Sequence, residues 1–120
     1  MKRILHLDDE ADIREILGAY LQTLGYEVVS VATPTEALRE VERTPPHLII
    51  CDLQLEESDG LEAIERLRAT NPEVPVILLT GVLLAPHVAE EILQKRRIVY
   101  VEKTKPLNTI VDEVRRLTTD

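Results

Sequence analysis

Short apolar runs alternate with stretches of helical periodicity from one end of this chain to the other, and that alternation leaves it few folds to adopt. Lys2 to Leu7 is a short apolar run. After it, Ile13, Ile16, Leu17, Tyr20, Leu21 and Leu24 recur along one helical face and stop at Gly25, a C-cap. Glu27 to Ala32, rich in valine, precedes Thr33-Pro34-Thr35-Glu36, which offers an N-cap, a proline at the first helical position and a capping glutamate ahead of Ala37, Leu38 and Val41. Leu48 to Cys51 leads through a polar loop to Gly60 and a helical pattern of Leu61, Ile64 and Leu67, closed by the Asn71-Pro72 turn signal. Val76 to Leu79 reads as a fourth strand, and Pro86 opens a weaker helix carrying Val88, Ala89, Ile92 and Leu93. Ile98 to Val101 is the fifth strand, and Pro106 opens a last helix with Leu107, Ile110, Val111, Val114 and Leu117 inward.

Five strands that alternate with five amphipathic helices require right-handed crossovers and a parallel sheet covered on both faces. The expected fold is therefore a doubly wound α/β domain. With 120 residues, 44% of them hydrophobic, the chain is long enough for one domain with a real core and too short for two.

Bulk chemistry narrows the function classes. A net charge of -8 argues against a nucleic-acid or anionic-membrane surface, which needs clustered lysine and arginine. The single cysteine, Cys51, lies in the most apolar run and reads as an inert buried thiol, so neither a disulfide framework nor a cysteine-based metal site is available. A reducing cytoplasm fits best. No apolar run approaches the roughly 20 residues that cross a bilayer.

In a doubly wound sheet, ligands sit outside the carboxyl ends of the strands, where the winding direction reverses. Those ends carry Asp8 and Asp9 after the first strand, Asp52 after the third, Thr80 after the fourth and Lys103 after the fifth. The second strand ends in nothing comparable, and no Gly-rich turn follows any strand, so a phosphate cradle of the Rossmann or P-loop kind is missing. Three carboxylates on one edge repel by about 1 to 4 kcal/mol per pair at 4 Å, and a hard divalent ion such as Mg²⁺ relieves this. Lys103 adds a second cation and Thr80 a hydroxyl donor. The set suits phosphoryl transfer to Asp52 as nucleophile.

The stretches ILHLDDE (4–10), IICDLQLEESDG (49–60), ILLTG (77–81) and YVEK (100–103) together resemble the four signature regions of receiver domains of two-component response regulators. The resemblance covers the whole chain, residues 1–120, in order and spacing. It implies a CheY-like, flavodoxin-like fold with strand order 2-1-3-4-5. It also implies a signalling switch rather than an enzyme, in which Asp52 accepts a phosphoryl group from a sensor histidine kinase or phosphotransfer protein. Mg²⁺ is then held by Asp9 and Asp52, with Asp8 supporting and the backbone carbonyl of Gln54 as a further ligand. Thr80 is the switch hydroxyl and Tyr100 the aromatic that changes rotamer with it, altering the face around helix 4, strand 5 and helix 5. A downstream protein or a missing output domain reads that face, in a monomer or a weak phosphorylation-linked dimer. A non-phosphorylated pseudo-receiver acting as a scaffold is the competing reading; a haloacid-dehalogenase-like phosphatase is discounted because the residue two after Asp52 is Gln54, not an acid.

Several positions depart from the family pattern. Two lysines, Lys103 and Lys105, stand near Pro106. The Tyr100 spacing and the apolar register of the last helix select Lys103, and Thr104 after it makes a trans peptide the default. Glu56 stands where proline is frequent, and Arg96, Arg97 and Ile98 replace the usual Gly-Ala-Asp before strand five. His6 occupies a normally aliphatic strand position and reads as a satisfied core histidine. Asp8 or Asp9 also caps the first helix.

Overall fold

The computed structural model describes residues 1–55, 59–95 and 97–119, so the expectations for Glu56 and Arg96 lie outside the described residues. Five strands alternate with five helices: β1 (Arg3–Leu7), α1 (Ala11–Thr23), β2 (Glu27–Val31), α2 (Pro34–Arg43), β3 (Leu48–Asp52), α3 (Gly60–Leu67), β4 (Val76–Thr80), α4 (Pro86–Gln94), β5 (Ile98–Glu102) and α5 (Leu107–Thr118). All strand pairs are parallel and the sheet order is β2-β1-β3-β4-β5. The winding direction reverses between β1 and β3. Asp52 and Thr80 are the last residues of their strands rather than the first of their loops, so the ladder itself fixes their backbones.

Strand alternation sorts the core into two layers. Ile4 of β1, Leu48 and Ile50 of β3, and Ile77 and Leu79 of β4 pack against Leu17 and Leu21 of α1 and Ile110, Val111 and Val114 of α5. On the opposite face Leu5, Leu7, Ile49, Cys51 and Leu78 pack against Ala37 and Val41 of α2, Ala63, Ile64 and Leu67 of α3, and Ile92 of α4. β1, β3 and β4 are buried along their whole length, as expected of central strands covered on both faces.

Local chemistry starts and stops the helices. Thr33 accepts from the Glu36 amide at 3.2 Å and donates back to its carboxylate at 3.2 Å, with Pro34 at the first helical position of α2. Asp59 accepts from the Glu62 amide at 2.8 Å and caps α3. α1 ends in a Schellman arrangement: the Gly25 amide bonds the Gln22 carbonyl, the Tyr26 amide bonds the Leu21 carbonyl, and Gly25 takes φ 97°, open to glycine.

The apolar stripes of the sequence are wider than the faces the sheet covers. Ile16 and Tyr20 of α1 and Leu93 of α4 are exposed (58%, 39% and 63%), whereas Leu17, Leu21 and Ile92 beside them are buried. The expected cap on α1 is also corrected. Glu10, not Asp8 or Asp9, is the N-cap residue, with no side-chain cap bond, because the Asp8 carboxylate is committed to the Glu10 amide at 2.9 Å in a tight turn before the helix. No cis peptide occurs among the described residues, so the bond after Lys103 is trans. Arg97 sits at φ 59°, a left-handed conformation that costs a non-glycine residue about 1–2 kcal/mol.

Gly60 is a fixed point of the loop after β3. A Cβ there would lie 2.3 Å from the Asp52 carbonyl oxygen and 2.7 Å from the Leu53 Cα, both backbone atoms that cannot swing aside. The Gly60 amide donates to the Leu53 carbonyl at 2.8 Å, so the loop folds back onto the strand end that carries Asp52. We expect Gly60→Ala to lower unfolding stability by about 1–3 kcal/mol in a denaturant titration, the range for overpacking a close contact. A variant as stable as the parent would show that the loop has room to move.

Candidate functional site

The loop after β1 and the end of β3 bring three carboxylates together. Asp8, Asp9 and Asp52 each offer an oxygen within 4.8 Å of the others, with Asp8 and Asp52 buried and Asp9 half-buried. Asp52 is held from two sides: its Oδ1 accepts from the Gln54 amide at 3.0 Å, and its Oδ2 accepts from Lys103 Nζ at 3.1 Å. Asp8 Oδ1 accepts from the Glu10 amide, and its backbone carbonyl accepts from Arg14 at 2.7 Å.

Lys103 reaches this cluster because its amide donates to the Thr80 carbonyl at 2.7 Å, which lays the loop after β5 across the end of β4. Its ammonium lies 3.3 Å from Asp8 Oδ2 and 3.4 Å from Glu10 Oε1 as well as on Asp52. Lys105, by contrast, is exposed.

Burial and charge act against each other here. Burial raises the Asp8 carboxyl above the usual carboxylate range, against the lowering pull of the Glu10 amide and Lys103. Burial also pulls the Lys103 ammonium down, but the hydrogen bond to Asp52 and the charges of Asp8 and Asp52 outweigh it, and its pKa is raised. Cys51 donates its thiol to the Asp52 carbonyl at 3.3 Å, and burial together with Asp52 pushes that thiol up and keeps it inert.

The arrangement fits a hard cation. The donors are carboxylate oxygens within reach of one another, Asp8 Oδ2 is fully buried beside the Lys103 ammonium, and no described hydrogen bond uses the Gln54 carbonyl.

Thr80 is fully buried, yet its hydroxyl is not bonded to Asp52. It donates to the Val82 carbonyl at 3.0 Å, accepts from the Val82 amide at 3.2 Å, and accepts from Gln54 Nε2 at 3.3 Å. Gln54 Oε1 in turn accepts from the Gly81 amide at 3.4 Å. The side chain of Gln54 thus clasps the loop after β4, a contact that the sequence reading, which gave Gln54 only a backbone part, did not contain. Tyr100 pairs in register with Leu78 and packs half-buried against the α4-side core, away from the carboxylates.

His6 corrects an expectation. Its side chain is fully buried, but neither ring nitrogen has a hydrogen-bond partner, and Nε2 stands 4.0 Å from Asp8 Oδ2. It is a core histidine that is not satisfied. Burial, with Lys103 and Arg14 nearby, pulls its pKa down to about 4, so the imidazole is neutral. Nothing in the period-two pattern of a buried strand separates a satisfied from an unsatisfied histidine.

Comparison with known proteins gives one answer. Residues 4–115 match the response regulator receiver domain family. A probable transcriptional regulator, ycf27 of Porphyridium aerugineum, is 41% identical over 80 residues, which are 67% of this chain and 33% of that protein. The alkaline phosphatase synthesis transcriptional regulatory protein PhoP of Bacillus subtilis is 37% identical over 80 residues, again 67% of this chain and 33% of that protein. The chain therefore spans about a third of the length of these curated relatives. Among solved structures, Vibrio cholerae chemotaxis protein CheY4 superposes with a TM-score of 0.89 at 25% identity, covering 98% of both chains. Response regulator protein TrrA from Thermotoga maritima, solved in complex with Mg²⁺-BeF, superposes with a TM-score of 0.83 at 31% identity over 98% of this chain and 99% of that one.

The Gln54 clasp is open to a direct check. In Gln54→Ala the Gly81 amide loses its described acceptor, and we expect its hydrogen exchange to quicken several-fold while the amides of β4 keep their protection. Unchanged exchange at Gly81 would show that the clasp does not persist in solution.

Proposed function

The chain belongs to the response regulator receiver family, and we propose that residues 1–120 form one phosphoryl-accepting switch of a two-component system with Asp52 as the acceptor. The observation that carries this reading is the convergence of Asp8, Asp9 and Asp52 at the winding reversal, with the Lys103 ammonium on Asp52 Oδ2. Asp52 is the acid of the three that ends a central strand, and both of its oxygens are aimed by partners rather than left to rotate. A sensor histidine kinase or a phosphotransfer protein supplies the group. A carboxylate oxygen of Asp52 forms the new O–P bond as the N–P bond of the donor phosphohistidine breaks, and the departing imidazole takes up a proton.

Asp9 and Asp52, with Asp8 in support and the Gln54 backbone carbonyl as a further donor, are the residues that would hold Mg²⁺; TrrA, with its Mg²⁺-BeF, supports that assignment. When bound, the ion neutralises charge on the transferring phosphoryl oxygens. Lys103 does the same from the side of β5. It already bridges Asp8 and Asp52, so the arriving group competes for an ammonium that is in place.

Thr80 is the group that answers. Its present partners, Val82 and Gln54, are loop contacts of 3.0 to 3.3 Å that a phosphoryl oxygen can replace, and Tyr100 on the neighbouring strand takes up the movement toward α4, β5 and α5. A downstream protein, or an output segment joined to the receiver, reads that face, whether the chain acts as a monomer or a weak phosphorylation-linked dimer. No described helix is long and apolar enough to cross a membrane, and the working compartment of this proposal is the cytoplasm.

Incubation with a small phosphodonor and Mg²⁺, followed by intact-mass measurement, tests the acceptor. The parent gains one phosphoryl group and Asp52→Asn none; an unlabelled parent would favour a scaffold, and full labelling of Asp52→Asn would move the acceptor elsewhere. A second experiment separates the two lysines. Lys103→Ala is expected to take up phosphoryl without the chemical-shift changes that spread to Tyr100 in the parent, whereas Lys105→Ala behaves as the parent. Equal spectra for both variants would remove Lys103 from the switch.

A further inference from the structure

β1 carries one feature that neither packing nor the acceptor chemistry uses. His6 lies in the middle of the sheet, with Ser30 and Ile50 as its register partners, on the face where Ile4 packs against α1 and α5. Its neighbours on that face are Ile4 along the strand and Ile50 and Ser30 across it, and an aliphatic side chain would fill the position. Instead two ring nitrogens are buried without a hydrogen bond, and buried polar atoms in that condition destabilise a fold. Asp8 Oδ2, buried and ion-paired with the Lys103 ammonium at 3.3 Å, is the atom His6 Nε2 faces, 4.0 Å away. A buried ring nitrogen without a partner thus stands slightly more than a hydrogen-bond length from a carboxylate oxygen that has room for a second donor.

We propose that His6 is a positioning residue for Asp8: its Nε2–H stands behind Oδ2 and fixes the orientation in which that carboxylate supports a cation. The proposal rests on the Mg²⁺ reading above. Asp8 is clasped by the Glu10 amide at Oδ1 only. On Oδ2 it meets the Lys103 ammonium at 3.3 Å, a group that Asp52 and Glu10 share. When an arriving anion draws the Lys103 ammonium toward itself, the ring nitrogen of His6 is the group left in place behind Oδ2. Groups that orient a metal-supporting carboxylate in this way act on affinity without touching the metal.

The role and the fold pull in opposite directions, which makes the test sharp. Two variants of the full chain, His6→Leu and His6→Gln, are compared with the parent by thermal unfolding in EDTA and by calorimetric titration with MgCl2. His6→Leu removes the orphan nitrogens, so its melting temperature in EDTA rises by roughly 3 °C or more, while its Mg²⁺ affinity falls about ten-fold. His6→Gln, whose amide nitrogen reaches about as far as Nε2, recovers most of the affinity. A residue with a merely structural part would move stability and affinity in the same direction. His6→Leu that binds Mg²⁺ as tightly as the parent overturns the proposal alone, and so does a His6→Leu chain that loses its cooperative transition. A parent that takes no Mg²⁺ in the millimolar range overturns the metal reading and this one with it.

Discussion

The contact between the Lys103 ammonium and the Asp52 carboxylate, 3.1 Å long, is the interaction on which the rest of this site depends. Three acids gathered at one sheet edge would drive the loops after β1 and β3 apart if nothing positive stood among them. Lys103 is supplied by the far edge of the sheet, from β5, so its reach ties the order β1-β3-β4-β5 together at the carboxyl ends of the strands. The ladder makes that reach possible: the Lys103 amide bonds the Thr80 carbonyl and the Leu53 amide bonds the Leu79 carbonyl. Charge compensation and sheet topology are therefore one constraint in this molecule.

Around that ion pair the fixed and the movable parts are separated by secondary structure. Asp52 and Thr80 have strand backbones, so their Cα positions are set by pairing with β4 and β5. What can change is the side chain and the loop beyond. Gly60 packs the β3–α3 loop against the backbone of Asp52 and Leu53 so closely that no other residue fits, which keeps the Asp52 end of β3 stiff. The β4–α4 loop is held by weaker means, a hydroxyl and an amide side chain at 3.0 to 3.4 Å, and Val82 and Leu83 on it are exposed. A rigid strand end beside a loosely held loop is the division that the proposed switch requires.

Much of this was legible in the chain itself, because β1, β3, β4 and β5 are short apolar runs, each ending at or beside a polar residue that the sheet brings toward one edge, whereas β2 ends in nothing comparable. Asp8, Asp52, Thr80 and Lys103 were found by reading strand ends, and the doubly wound sheet then brings them to one edge. The reading failed where a single chain of letters carries no information about direction or distance. Helical spacing admits Ile16, Tyr20 and Leu93 to the apolar stripe, but the sheet covers a narrower arc, and a residue next to a buried one points about a quarter-turn away. Asp8 or Asp9 was expected to cap the first helix; the N-cap residue is Glu10, and the Asp8 carboxylate instead accepts from the Glu10 amide. The Gln54 clasp joins residues 26 and 27 positions apart through side-chain atoms, which no local pattern announces.

His6 shows what the same sheet permits at its centre. A strand buried on both faces has no water to satisfy a stray donor, so a polar side chain there either finds a partner in the protein or costs stability. In β1 the imidazole stays unpaired beside Asp8 Oδ2, which belongs to a loop residue held back by the Glu10 amide and Lys103. The strand sets one atom and the loop sets the other. The two stand 4.0 Å apart while the Lys103 ammonium lies 3.3 Å from the same oxygen. In the positioning role proposed for His6, the core of the sheet and the charges of the site meet at that one oxygen.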